Sequence, residues 1–258
     1  MYLRSVQTAA LLSASLLAFG LQALAQSAKY ADAVAPRTVL VELFTSEGCS
    51  SCPPADALLR QVNGRRTDSG QLIVGISEHV TYWNHLGWSD PFSAQLFTDR
   101  QNSYGDRFHL DSVYTPQMVI DGETQIVGSD GTGLQRALNQ QRPASPIGLR
   151  IASADASGSS LTVKFEVNGD VPVKGVDIYA VVAEDAASSK VLRGENGGRT
   201  LQHVSVARIM VRVASIHAAG EQTARVALPT SAGQGRHLIL FAQMPGPGRV
   251  LGIDTKPL

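Results

Sequence analysis

The sequence predicts two domains, an α/β N-terminal domain carrying a helical insertion and a C-terminal antiparallel β-sandwich. Three observations carry that prediction. A βαβ pattern runs from Val39 to Ile76, eight of the fifteen Phe, Trp and Tyr residues crowd into positions 79–114, and from Leu161 onward short β-branched runs alternate with Gly and Ser clusters. With 43% hydrophobic and 17% charged residues the chain can bury a core, a balance that disordered proteins lack. Basic and acidic side chains balance at 22 each, so net charge gives no reason to expect a nucleic-acid or anionic-membrane partner.

The elements follow in order. Arg4 precedes an apolar run from Ala9 to Leu24 that ends in Ala23-Leu24-Ala25, which predicts a signal peptide over 1–25, cleaved after Ala25, and a periplasmic or secreted protein. Ser13, Ser15, Gly20 and Gln22 interrupt the run, leaving it short of the roughly 20 apolar residues of a span, so no stable membrane insertion is expected after cleavage. Val39–Phe44 has the continuous apolar character of a strand buried on both faces. Ala55, Leu58, Leu59 and Val62 then recur at helical spacing up to Gly64, with Pro53 and Pro54 in the first turn, where prolines are tolerated. Leu72–Ile76 gives a second buried strand. Positions 79–114 read as an aromatic, mainly helical insertion, with Asp90-Pro91 as a helix start and Phe92, Leu96 and Phe97 as its apolar face. Two short strands flank an Asp121-Gly122 turn, and a helix from about 133 to 141 closes a domain bounded at 37–142. Pro143 and Pro146 mark a linker. Beyond it, the runs Leu161–Val167, Val176–Val182, Val204–Val213 and His237–Phe241 predict the sandwich over 146–258.

The chemistry centres on two cysteines, Cys49 and Cys52. Two are too few for a disulfide scaffold or a four-cysteine zinc site. Export would place them where a disulfide persists. At a strand-to-helix turn, the helix dipole and free N–H groups favour a thiolate on Cys49, leaving Cys52 as the resolving thiol. The same pair also suits a structural disulfide in a non-catalytic binding module, or copper or zinc binding with His79, His85 and His109. In the second half, Glu195, Asn196, Gly197, Gly198, Arg199 and His203 form a polar cluster. It reads either as a hairpin turn with a Glu195–Arg199 ion pair or as a loop docked on the cysteine face. No hydrolase, zinc-protease or nucleotide-binding motif appears in a supporting context, and no cofactor is expected.

Strand, Cys-Ser-Ser-Cys, helix, strand and then Thr115-Pro116 before a hairpin together resemble the thioredoxin superfamily. More narrowly, four blocks resemble a bacterial family of secreted thioredoxin-like proteins catalogued as a domain of unknown function. They are Val41–Asp56, Trp83–Pro91, Tyr114–Met118 and Gly194–His203. The resemblance implies a thioredoxin-like N-terminal fold and an exported location. It also implies Glu42 as a buried proton acceptor for Cys52, a cis Pro116 against the cysteines, and Thr115 pairing with substrate backbone. Trp83 and Trp88 read either as part of the insertion's own core, with Phe92 and Tyr104, or as the rim of the substrate site. The expected activity is thiol–disulfide exchange, a possible oxidoreductase acting on an extracytoplasmic protein or a small thiol or disulfide.

Overall fold

The structure, a computed structural model, describes residues 38–140, 147–229 and 234–258. The expected signal peptide and the Pro143–Pro146 linker lie outside the described residues. Among those residues the chain forms eleven strands and three helices. Strand β1 (Thr38–Thr45) pairs in parallel with β2 (Leu72–His79) and antiparallel with β3 (Gln117–Ile120), so it is hydrogen-bonded on both edges. Its alternation sorts the side chains: Val39, Val41 and Leu43 pack against helix α1 (Pro53–Val62), whereas Leu40 and Phe44 enter clusters on the opposite face. Gly75 in β2 leaves room for Leu59 of α1, since a Cβ there would lie 2.8 Å from Leu59 Cδ1.

Beyond β2 the aromatic segment is less helical than expected. Only Gln95–Arg107 forms a helix, α2, and Asp90 and Phe92 lie in the turns before it. Strands β3 and β4 (Thr124–Val127) meet at Asp121 and Gly122, both with positive φ (49° and 67°). Gly122 is required there twice over, because a Cβ would also meet Gly248 O at 2.2 Å. Helix α3 (Gly131–Asn139) starts at Asp130, whose carboxylate accepts from the Gly133 amide at 2.9 Å. Its Leu134 and Leu138 join Val39, Val41 and Leu59 in one cluster.

The second half supplies β5 (Ile147–Ser157), β6 (Ser160–Gly169), β7 (Val176–Lys190), β8 (Thr200–Ile216), β9 (Gly220–Ala227), β10 (Gln234–Gln243) and β11 (Val250–Pro257). Strands β5, β6 and β9 make a three-stranded sheet, and Phe165 and Val163 from it share a core with Ile178, Leu238 and Leu240. The remaining strands do not form a separate sandwich. They continue the first sheet, giving one eight-stranded mixed sheet in the order β11-β10-β7-β8-β2-β1-β3-β4.

This overturns the expected α/β thioredoxin-like fold with a helical insertion beside an independent sandwich: the chain is mostly β. The join is parallel and short, the Ser77↔Val206 pair of β2 and β8. Its physical basis is that β2 would otherwise present an open edge, which the 17-residue β8 is long enough to cover. Residues Thr38–Leu258 form one compact unit.

Candidate functional site

Strand β1 ends at Thr45, and the chain turns through Ser46–Cys52 into α1. The Cys49 amide donates to Ser46 O and the Cys52 amide to Cys49 O, each at 3.2 Å. Cys49 and Cys52 are disulfide-bonded, with Cα atoms 5.4 Å apart. Cys52 is the N-cap of α1, and Pro53 and Pro54 fill its first two positions. Those prolines remove two amide donors, and the next two, Ala55 and Asp56, already donate to Cys52 O at 2.9 and 3.1 Å. The free N–H groups expected to favour a Cys49 thiolate are therefore not available at this helix start. Nor is Cys49 the more exposed cysteine. Both are fully buried beneath the exposed Ser50 and Ser51.

Glu42 lies on the face of β1 turned away from α1. Its Oε1 accepts from Arg100 Nε at 2.5 Å and its Oε2 from Tyr104 Oη at 2.6 Å. Those partners belong to α2, so the expected role of proton acceptor for Cys52 has no geometric basis. Arg100 is buried against the rings of Tyr104, Tyr179 and Phe241, 5.1–5.3 Å from their centroids, and donates to Gln243 at 3.1 Å. A second carboxyl, Glu78, stands 3.9 Å from Arg100 with neither oxygen hydrogen-bonded. Burial, and then the charge of Glu42, push Glu78 well above the usual carboxylate range.

The groups that surround the cysteine turn are others. Glu47, fully buried, donates its amide to Asp90 Oδ2 at 2.8 Å. Its carboxylate accepts from Trp88 Nε1 at 2.9 Å, from Ser189 Oγ, and from His203 Nε2 at 3.2 Å. On its far side, His203 Nδ1 is 3.6 Å from Asp56 Oδ1, an ion-pair contact too long for a hydrogen bond. Asp56 also accepts from Thr45 Oγ1 at 3.1 Å. Burial pushes the His203 imidazolium down, but Asp56 and Glu47 outweigh it and hold the value at about 9. His203 is thus a buried cation at neutral pH, joining the loop before Cys49 to the helix after Cys52. Its ring stands edge-on to His79, centroids 4.6 Å apart, and His79 Nδ1 bonds Asp90 at 2.7 Å. Burial raises Asp90, but the charge and hydrogen bond of His79 prevail and lower it.

The Glu195–His203 segment docks on this face. Asn196 Nδ2 donates to the carbonyls of Glu47 and Cys49, both at 2.9 Å, and Glu195 accepts from the Ser50 amide at 3.0 Å. The alternative Glu195–Arg199 ion pair does not form, since Arg199 instead donates to Asn196 Oδ1 at 2.8 Å. Glu47 was not singled out from the sequence, whereas His203 was, as a member of the polar cluster read as a loop docked on the cysteine face, though without a chemical role; it stands at an inward position of a strand, between Leu201 and Ser205.

Thr115–Pro116 is cis, and the space beside Gly128 is bounded by Pro116 Cβ, Leu43 Cδ1 and Ala55 Cβ, which sets Pro116 against the first turn of α1. Trp83 Nε1 donates to Thr115 Oγ1 at 2.8 Å. With Trp88 bonded to Glu47, both indole N–H groups are committed to holding the site's own loops. His79 is buried while His85 and His109 are exposed, and no cluster suited to a metal ion occurs among the described residues.

No curated protein matches the chain. The fold is similar to a crystal structure of a protein from Agrobacterium tumefaciens, at TM-score 0.63 and 24% identity over 86% of this chain and 95% of that one. A β-glucosidase from Kluyveromyces marxianus matches 44% of this chain and 14% of its own at 12% identity and TM-score 0.23, which carries no argument. Residues 40–243, spanning the cysteine turn, β8 and the docked loop between them, match one family, and the chain belongs to it: the family described as protein of unknown function, DUF1223.

Proposed function

We propose that the protein exchanges thiols and disulfides through Cys49 and Cys52, on a protein or small-molecule client outside the cytoplasm. The observation that carries this reading is the setting of the bridge: a buried imidazole, His203, in contact with Glu47 before Cys49 and with Asp56 after Cys52. Stapling accounts poorly for such a setting. A bridge with a sequence separation of 3 restricts the unfolded chain by only about 2 kcal/mol on the chain-entropy relation. Opening the pair creates two thiols that must gain protons, and closing it releases them. His203 and its carboxylates are the titratable groups tied to both ends of the turn. The likeness of Cys-Ser-Ser-Cys and Thr115-Pro116 to thioredoxin-superfamily sites supports the same chemistry, and the leader with Ala23-Leu24-Ala25 supports export.

Burial of both sulfurs favours a second reading, a structural bridge in a binding module. Turnover separates the two. With excess dithiol reductant and bis(2-hydroxyethyl) disulfide as substrate, the full chain is expected to cycle. Cys49→Ser and Cys52→Ser should each lose the two-cysteine cycle, and with the disulfide alone and the dithiol omitted, one of them should accumulate a mixed disulfide on its remaining cysteine. Turnover in neither the native chain nor the variants would leave the structural bridge.

A further inference from the structure

Beside the cysteine turn lies a groove of about 230 Å³ whose lining includes Pro53, Asp56, Arg60, Arg199, Leu201 and Gln202. Two guanidinium groups reach it, and neither has a carboxylate partner among the described residues. Arg60 Nη1 donates to the Gln202 carbonyl at 2.5 Å, and Arg199 Nη1 to Asn196 Oδ1 at 2.8 Å. A guanidinium carries five N–H donors, so each retains donors and an uncompensated charge. The one carboxylate in the lining, Asp56, is committed to His203 and Thr45. Glu195, the exposed carboxylate on the Ser50 amide, is not part of the lining.

The groove adjoins the backbone of the cysteine turn at two points. Pro53 follows Cys52 directly, and Arg199 is joined through Asn196 to the Cys49 carbonyl. Its volume is below the roughly 300–1,000 Å³ of pockets that enclose drug-sized ligands. It suits one amino-acid-sized end of a ligand whose remainder stays outside.

We infer that this groove receives the carboxylate end of a small acidic disulfide and presents the disulfide sulfur to the cysteine pair, an assignment that rests on the exchange reading. In the forward direction the reduced protein meets RSSR. One cysteine thiolate attacks a substrate sulfur, forming a protein–S–SR bond and expelling RS⁻, which takes up a proton. The second cysteine thiolate then attacks the protein sulfur of that bond, expelling the second RS⁻ and closing Cys49–Cys52. Two electrons pass from the protein dithiol to RSSR, giving two RSH. The oxidised protein runs the same steps backward on two acidic thiols.

Three disulfides of different charge test the assignment: oxidised glutathione (anionic), bis(2-hydroxyethyl) disulfide (neutral) and cystamine (cationic), each with the reduced full chain. Rates are normalised to those of free dithiothreitol with the same disulfides. Oxidised glutathione should be preferred over the neutral disulfide by about fivefold to tenfold, within the roughly twofold to thirtyfold that two exposed charge pairs supply. The preference should shrink in high salt. The double variant Arg60→Gln/Arg199→Gln should lose the preference, its normalised rate with oxidised glutathione falling to that with the neutral disulfide. A preference unchanged in the variant, or absent in the native chain while the neutral disulfide reacts, overturns the groove and leaves exchange standing. Failure with all three disulfides overturns both. Calorimetry with S-methylglutathione, which cannot exchange, reads the groove alone: the native chain should bind it and the double variant should not, and no binding to the native chain overturns the assignment.

Discussion

Two buried ionisable residues, one at the cysteine turn and one on the opposite face of β1, act in different places. His203 has a free value of about 6.5 and is held at about 9 in the fold, so the folded state binds its proton more tightly than the unfolded state does. The stabilisation is fully present below about pH 6.5 and is lost as pH rises through about 9, a change on the order of 3 kcal/mol. Urea denaturation across that window should show the loss, and His203→Gln should flatten it; an equal slope in the variant would mean that Glu47 and Asp56 do not charge this imidazole. Glu42 is the contrasting case. Its partners are Arg100 and Tyr104, and removing its charge leaves a buried guanidinium facing only Glu78. Glu42→Gln is therefore expected to cost about 3–5 kcal/mol of stability while leaving the pH dependence of exchange unchanged. A lost limb in that profile, with stability intact, would return Glu42 to the proton path.

At the scale of elements, α1 is an unusual support for a reactive thiol, because Pro53 and Pro54 withdraw two amides from its first turn. Replacing both with alanine restores those donors near the pair and should lower the more acidic of the two thiol pKa values by about half a unit to one unit. Thiolate absorbance of the reduced protein measures it, and an unmoved value would show that the helix start does not reach the sulfurs. The elements themselves were mostly legible in the sequence. Val39–Phe44, the Ala55/Leu58/Leu59/Val62 spacing, Leu72–Ile76 and the Asp121-Gly122 hairpin all emerged, because each depends on local periodicity or turn chemistry. The site was legible at its cysteines, at the cis Thr115–Pro116 bond and at the docking of the Glu195–His203 cluster, one of two readings left open. Glu47 and His203 stand 156 residues apart, and nothing local to either announces the other. Glu42 misled for a related reason: period-2 alternation establishes that neighbours point to opposite faces but not which face meets α1.

For the whole molecule, the decisive feature is the sheet that passes from β4 to β11 without a break. Two halves that differ in texture, one βαβ and aromatic, the other alternating and β-branched, suggest separate domains by composition. The Ser77↔Val206 pair joins them, and that contact between distant strands leaves no trace in either segment's own pattern. The continuity has a functional consequence, since β8 and the loop before it deliver His203, Arg199 and Asn196 to the turn that β1 and α1 supply. The cysteine site exists only in the joined sheet, so its redox property belongs to the full chain. That property is also the most direct test of the central claim. The reduction potential of Cys49–Cys52, measured by equilibrating the full chain in thiol–disulfide buffers, should lie above about −250 mV, in the range of catalytic couples, whereas a value below about −300 mV would mark a structural bridge and contradict thiol–disulfide exchange.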